Sequence, residues 1–410
     1  MRNLVFVFFA LFMTTSLAKA DAVSLFYPRQ LLKDHKFEQF EALMVQANEG
    51  YLAGDVSYRD YYWATRSVWK KDDLSSKWLE EALLSWVSSS PESAYGFILL
   101  GRYYGQKAFN ARGAQWAKDT SAARFKKMEA LFAPAIAALG KGLKRDPDII
   151  LGHTQMLQIA KASRKELEIQ PAEYFAGIPD RVKKETAIWS DLLSSIVPRW
   201  GGSYVQIQAA VNRLVKAGTP SVTRADIQIL TDVITYDKML IAVARDDYRG
   251  VLDLAKESIA ADTGHAGIYQ LASNAAQQIM NYELCYRYAG IAVQMRPSRA
   301  EGWLRRGVCA VKLKKWTEAT EAFQHRIHIN GLSDYDVFQL GVSHMYHHDY
   351  RKAYAFLKQS EKLNRNYRRY TERYVSYIEK DQKGSMDLAG VNPLSILADV
   401  LYIPDTMSVD

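Results

Sequence analysis

The stretch KKWTEATEAF, residues 314–323, decides the fold because the chain carries three further copies of its pattern. In each copy an aromatic residue opens a run whose small and apolar residues recur at helical spacing. The same 34-residue interval joins Gly307 to Gly341 and Ala319 to Ala353. A fixed period of this length predicts tandem helical units. The other copies are DDYRGVLDLA, MNYELCYRYA and HDYRKAYAFL, and the four aromatics are Tyr248, Tyr282, Trp316 and Tyr350.

These residues resemble the tetratricopeptide repeat. The copy that begins at Ala300 matches best, with Trp303, Gly307, Ala319 and Phe323 at the family's W, G, A and F positions. The resemblance implies antiparallel helix pairs that stack, since one pair cannot bury its apolar face alone. It covers residues 232–367, with repeats at about 232–265, 266–299, 300–333 and 334–367. We therefore expect an all-α, helical-hairpin solenoid across residues 219–367.

The first twenty residues predict a secretory signal peptide. A positive charge in MRN precedes the apolar run LVFVFFALFM, and Ala18-Lys19-Ala20 fits a cleavage site. Removal of this segment would lower the net charge from +8 to +6, which gives nucleic-acid binding little support. No later run is long enough to span a bilayer. We expect a periplasmic or secreted protein without stable membrane insertion after cleavage.

Residues 21–218 predict an N-terminal helical domain with longer helices. Two helices end at Pro91 and Pro147, which are 56 residues apart, or 22 more than one repeat. The run from SPESAYGFILLGRYY through LKRDP to IVPRWGGSY resembles a bacterial domain family of unknown function marked by a W-G-G-S corner. That resemblance covers about residues 30–215 and implies no activity. At the other end, residues 368–410 predict a capping helix and a tail, with Tyr370, Tyr374 and Tyr377 at helical spacing.

The segment PRWGGSY, residues 198–204, predicts a corner between two helices. Pro198 cannot donate a backbone hydrogen bond, so it ends the preceding helix. Gly201 and Gly202 supply backbone conformations that other residues resist, and Ser203 suits an N-cap. A phosphate-binding loop would need a glycine-rich motif after a strand, and the sequence has none.

Cysteines and histidines offer weaker chemical signals. Export would permit a disulfide between Cys285 and Cys309, but both fall at core positions of the repeat, which favours two buried thiols. Five histidines lie on helices that should touch, so a metal site is conceivable, yet packed or solvated side chains are the favoured interpretation. We assign no cofactor and no metal. The histidines are His325, His328, His344, His347 and His348.

The sequence favours a non-catalytic protein. Glu257-Ser258 followed by Gly267-Ile268-Tyr269-Gln270 is superficially similar to blocks of lytic transglycosylases, but the interval is too short and an intervening element is missing. No nucleophile elbow or Cys–His signature is present. A cell-wall enzyme therefore stays the least favoured of three hypotheses. The second is an immunity or inhibitor protein that neutralises an exported toxin.

The leading hypothesis is an exported scaffold that binds an unidentified protein or peptide on the concave face of the solenoid. First helices of the repeats line that face in tetratricopeptide arrays, which commonly bind peptides there. Only Asn274 and Arg305 match a carboxylate clamp, so capture of a chain terminus is not expected. The predicted partner-binding residues are Gln270, Asn274, Gln277, Arg305, Lys312, Phe338, Met345 and Tyr346.

Overall fold

A computed structural model describes residues 27–57, 61, 64–65, 68–69, 71–113, 117–162, 169–217, 222–261 and 263–381. The predicted signal peptide and the tail after residue 381 lie outside them. These residues form nineteen α-helices and no strand, which confirms the all-α, helical-hairpin prediction. No helix in the described ranges is both long and apolar enough to cross a membrane. The helices are α1 Tyr27–Lys33, α2 Phe37–Ala53, α3 Lys77–Ser89, α4 Ala94–Arg112, α5 Ala122–Arg145, α6 Ile150–Ala162, α7 Pro171–Ala176, α8 Asp180–Lys183, α9 Thr186–Ser195, α10 Tyr204–Ala217, α11 Arg224–Val243, α12 Tyr248–Ala260, α13 Ala266–Gln278, α14 Tyr282–Met295, α15 Ala300–Lys312, α16 Trp316–Asn330, α17 Asp334–Tyr346, α18 Tyr350–Leu363 and α19 Arg368–Asp381.

The chain divides into two compact units. One comprises residues 28–271, and the other comprises residues 272–410 together with residues 1–27. The division falls within α13. We call the described part of the first unit the N-terminal unit and residues 272–381 the hairpin unit.

The N-terminal unit is built around two long antiparallel helices. Helices α4 and α5 have 19 and 24 residues, whereas α13 to α18 have 13 to 15. They meet closely at Gly101, where a Cβ atom would lie 2.8 Å from the carbonyl oxygen of Ala135. Trp86 is fully buried on α3 and stacks on Phe37, with ring centroids 5.2 Å apart. The long helices and these aromatic residues belong to a large hydrophobic cluster of the unit.

The helix pairs repeat with a fixed turn. Four helices, α12, α14, α16 and α18, begin at the four aromatics of the 34-residue period. Two positions before each aromatic, the backbone is left-handed although no glycine is present. The next residue donates its N–H to the carbonyl five positions back, as in a Schellman turn. The left-handed residues are Asp246, Met280, Lys314 and His348, with φ of 55–60°; the bonds are Asp247 to Ala242, Asn281 to Ala276, Lys315 to Ala310 and Asp349 to His344, at 2.9–3.0 Å.

The same turn occurs near the start of the N-terminal unit. His35 has a φ of 55°, and the N–H of Lys36 donates to the carbonyl of Leu31 at 2.8 Å. Phe37 then begins α2, in the place that tyrosine or tryptophan takes in the hairpins. The same local turn therefore occurs in both units, although their helices differ in length.

The W-G-G-S segment forms the corner between α9 and α10. Residues Pro198–Trp200 make a single 3₁₀ turn, and Gly201 is left-handed with a φ of 93°. A Cβ atom on Gly202 would lie 2.0 Å from the carbonyl oxygen of Ile196, so only glycine fits there. The Ser203 hydroxyl accepts a hydrogen bond from the N–H of Gln206 at 3.2 Å, which makes it the N-cap.

The favoured interpretation of Cys285 and Cys309 as two thiols is wrong. Their sulfur atoms are bonded in a disulfide that joins α14 to α15, with Cα atoms 6.2 Å apart. Both positions are buried, as core positions of the repeat should be. Burial does not distinguish two thiols from a disulfide, because two buried residues on neighbouring helices can also face each other.

Candidate partner-binding surface

The eight predicted residues lie on three first helices of the hairpins. Helix α13 carries Gln270, Asn274 and Gln277; α15 carries Arg305 and Lys312; α17 carries Phe338, Met345 and Tyr346. Gln270 belongs to the N-terminal unit and the other seven belong to the hairpin unit.

The polar members of the set differ in what they offer to a partner. Arg305 is half-buried and donates to the side-chain oxygen of Gln277 at 2.8 Å, which links α15 to α13. The Asn274 side-chain oxygen is buried and accepts no hydrogen bond from the described residues. Lys312 is exposed, with its Nζ atom 6.0 Å from the ring centre of Tyr282. Of these four residues, Lys312 presents its charge most openly to solvent.

Two apolar members, Phe338 and Met345, act chiefly as supports. Both are partly buried and pack against a cluster that includes Leu357 and Ile378. The ring of Phe338 also lies 5.2 Å from that of Tyr367, centre to centre. These side chains hold α17 against α18 and α19 and expose only part of their area.

Tyr346 belongs to an exposed aromatic surface that the sequence did not reveal. It is 48% exposed, while Tyr370 and Tyr377 on α19 are 50% and 42% exposed. Tyr346 stacks on Trp316, with ring centres 4.3 Å apart. Burial raises the pKa of Tyr374, and the nearby, hydrogen-bonded Tyr346 raises it further, which places α17 and α19 side by side here. We call Tyr346, Tyr367, Tyr370, Tyr374 and Tyr377 the tyrosine surface.

The packing of α19 explains why these tyrosines are exposed. The residues of α19 that pack inward are Thr371, Val375 and Ile378, all of them buried. Tyr370 and Tyr377 each precede one of these residues in sequence and therefore sit beside the packed face. Two sets with the same helical spacing occur in this helix, and the sequence alone does not say which one packs.

Positive charge surrounds the tyrosine surface. The hairpin unit, residues 272–381, contains 18 Lys and Arg but 11 Asp and Glu. Four exposed arginines occur within nine residues at the start of α19, and the guanidinium of Arg369 lies 4.6 Å from the ring centre of Tyr370. The combination is an aromatic surface inside a basic field. The four arginines are Arg365, Arg368, Arg369 and Arg373.

The five histidines are distributed among separate contacts. His325 stacks on Trp303 at 4.1 Å between ring centres, and burial lowers its pKa to about 4. His344 stacks on Phe356, and burial likewise lowers its pKa to about 4. His347 and His348 are exposed, and His328 is half-buried. Within the described ranges, no three His, Cys, Asp or Glu side chains are grouped to hold a metal.

One well-connected carboxylate of the N-terminal unit belongs to Glu80. The Glu80 carboxylate accepts hydrogen bonds from Lys107 at 2.8 Å, from Tyr103 at 2.9 Å and from Tyr104 at 3.2 Å. Burial opposes ionisation of Glu80, but these bonds prevail and lower its pKa. A carboxylate held ionised in this way is poorly suited to general-acid catalysis. Glu257, the residue compared with the transglycosylases, is exposed on α12.

Comparison with known proteins finds a family match only in the N-terminal part of the chain. A family model described as a domain of unknown function, DUF4034, matches residues 26–165. Over those residues the chain is similar to this family, whose description names no activity. The match ends before the W-G-G-S corner and includes neither the hairpins nor the tyrosine surface. No curated protein matches the chain.

Proposed function

We propose that the protein is an exported, non-catalytic scaffold that binds a protein or peptide across the tyrosine surface. The observation that carries this proposal is the exposure of three tyrosines, Tyr346, Tyr370 and Tyr377, on two neighbouring helices. Tyrosine is enriched in binding sites because it buries a large apolar ring and keeps a hydroxyl for hydrogen bonding. Scattered apolar residues need no explanation, but adjacent aromatic residues on one surface do.

Contacts within the protein hold the tyrosine surface in place. Tyr346 is held by its stack on Trp316, and Tyr370 lies 6.3 Å from Phe338, ring centre to ring centre. Side chains that are fixed in advance lose little conformational entropy on binding, so more of the contact energy becomes affinity. In most interfaces a few residues supply most of the binding energy, and tyrosine is enriched among them.

The expected partner is an acidic segment with apolar side chains. The arginines at the start of α19 would attract negative charge, and the tyrosines would bury the apolar side chains. Lys312, exposed on α15, extends the basic field along the hairpin unit. Gln277 and Arg305 bond to each other, so they contribute less than Lys312.

Two features support export. The N-terminal sequence has the organisation of a cleavable signal peptide, and the hairpin unit contains a disulfide. Structural disulfides persist mainly in oxidising compartments such as the periplasm. An inhibitor of an exported toxin would share both features, so the identity of the bound partner separates that alternative from an envelope scaffold.

The test is affinity capture from periplasmic extract with a triple variant, Tyr346→Ser, Tyr370→Ser and Tyr377→Ser. The matched control is Val205→Ser and Val215→Ser, which removes exposed apolar side chains from α10 in the N-terminal unit. We expect the wild-type chain and the control to retain the same acidic partner and the triple variant to lose it. Equal capture by all three chains would refute the tyrosine surface. Release of muropeptides from peptidoglycan would refute the non-catalytic assignment.

A further inference from the structure

A shallow, open cavity lies between α14 and α15, with Arg287 and Gln294 exposed at its edge, and it shares no residue with the tyrosine surface. Its volume is about 160 Å³, enough for one small polyatomic group and too little for a drug-sized ligand. Its walls combine two arginines, one amide and one phenol with two small or apolar residues. The lining residues are Tyr286, Arg287, Gly290, Ile291, Gln294 and Arg306.

The two arginines of this cavity are neither hydrogen-bonded to nor ion-paired with an acidic side chain among the described residues. The guanidinium of Arg306 lies 5.7 Å from the ring centre of Tyr286 and 5.8 Å from that of Trp303. The guanidinium of Arg287 lies 5.2 Å from the ring centre of Tyr288. Neither arginine forms a hydrogen bond or ion pair in the described part of the chain.

The charge balance at the cavity is positive. Lys315 places its Nζ atom 4.7 Å from the ring centre of Tyr286 and adds a third cation. The opposing groups are Glu321 and its acidic neighbour Glu318, which leave the three cations in excess. Burial raises the pKa of the Glu321 carboxyl, and the charge of Arg306 opposes that rise without forming an ion pair. The local field therefore favours an additional anion.

The disulfide fixes the two walls of the cavity. Cys285 precedes Tyr286 on α14, and Cys309 lies three residues after Arg306 on α15. The covalent bond between them limits how far the two helices can separate. A site held at fixed width is better prepared to bind a ligand than one that must first close.

We propose that this cavity binds an oxyanion group, either a carboxylate or a phosphate. Arginine presents several N–H donors in a planar fork that matches both groups, and charge-assisted hydrogen bonds of this kind are the strong ones. Arg287 and Arg306 would donate from α14 and α15, and Gln294 would add an amide donor. The site depends on its own residues and stands whether or not the tyrosine surface binds a partner.

The experiment titrates the full mature chain with inorganic phosphate, and separately with acetate, at constant ionic strength set by chloride. Phosphate binding is followed by ³¹P line broadening and acetate binding by calorimetry. We expect Arg306→Gln and Arg287→Gln each to weaken binding about tenfold or more. Glu321→Gln removes the competing charge and should tighten binding severalfold. The matched control is Arg351→Gln, which removes an exposed arginine outside the cavity and should leave affinity within about twofold.

Two further variants test the geometry of the site. A Cβ atom on Gly290 would meet nothing within 4 Å, so Gly290→Leu should fold and fill the cavity, abolishing binding. Reduction of the disulfide in the wild-type chain should weaken binding. A preference for phosphate would indicate a phosphorylated ligand, and a preference for acetate an acidic side chain or chain terminus. Binding no tighter than chloride, or equal loss in Arg306→Gln and Arg351→Gln, would overturn the proposal.

Discussion

The two units differ in how they place arginines beside aromatic rings. In the N-terminal unit, Arg102 is 1% exposed, donates to the carbonyl of Thr65 and lies 4.9 Å from the ring centre of Trp69. In the hairpin unit, arginines and tyrosines face outward around α19. Buried polar groups must be satisfied internally and are then unavailable to a partner. An arginine beside an aromatic ring therefore serves the core at Arg102 and stays open to solvent around α19.

The largest expected effect is on the core of the N-terminal unit. Trp86→Ala should lower the free energy of unfolding by about 3–5 kcal/mol, because a fully buried ring in contact with Phe37 and Phe40 is lost. Trp316→Ala, which removes a partly exposed stack in the hairpin unit, should cost about 1 kcal/mol. Urea denaturation, with hydrogen exchange followed separately in each unit, measures both losses of unfolding free energy. Similar losses for Trp86→Ala and Trp316→Ala would contradict the expected difference between the two units.

The next effect concerns the hairpin unit. The double variant Cys285→Ala and Cys309→Ala should have a free energy of unfolding about 3 kcal/mol lower than the wild type, because the disulfide closes a loop of sequence separation 24. Calorimetry with and without reductant gives the comparison. The wild-type chain should become as unstable as the variant on reduction, and the variant should not respond. A variant that still responds to reductant would show that the effect has another source.

Ionisation of a buried carboxyl gives the third effect, in the N-terminal unit. Glu185 is buried, and burial raises its pKa to about 7. Its neutral form is favoured in the fold, so stability is greatest below pH 4.5 and falls as pH rises through 7. Glu185→Gln should therefore stabilise the unit by about 2–3 kcal/mol at pH 8 and by little at pH 4. Urea denaturation at both values tests this, with the exposed Glu173→Gln as control; a gain independent of pH would contradict it.

A buried histidine should give the opposite and smallest pH response, in the hairpin unit. Burial lowers the pKa of His325 to about 4, so its contribution is complete above pH 6.5 and is lost as pH falls through 4. His325→Phe keeps the stack on Trp303. When the pH is lowered from 7.5 to 5, this variant should lose about 1–2 kcal/mol less of its free energy of unfolding than the wild type. Thermal unfolding at the two values measures the difference. The exposed His347→Phe should show none.

The sequence predicts much of the fold because its strongest signals are local. Each aromatic of the period begins a helix directly after a turn, and Gly202 is needed within a corner of a few residues. The disulfide could not be predicted, because the 24-residue separation of Cys285 and Cys309 does not give the distance between them until α14 and α15 pack. The tyrosine surface could not be predicted either, because it also depends on how helices pack. Thr371, Val375 and Ile378 have the same spacing as the tyrosines, and only packing chooses between the two sets.

Site-specific photo-crosslinking in living cells tests the central proposal most directly. A benzoyl-phenylalanine side chain is placed at Tyr370 in the hairpin unit and, as the control, at Val205, which is 79% exposed in the N-terminal unit. We expect a discrete adduct with one acidic partner from Tyr370 and none from Val205. Irradiation that gives no adduct at Tyr370, or the same adducts at both positions, would contradict it.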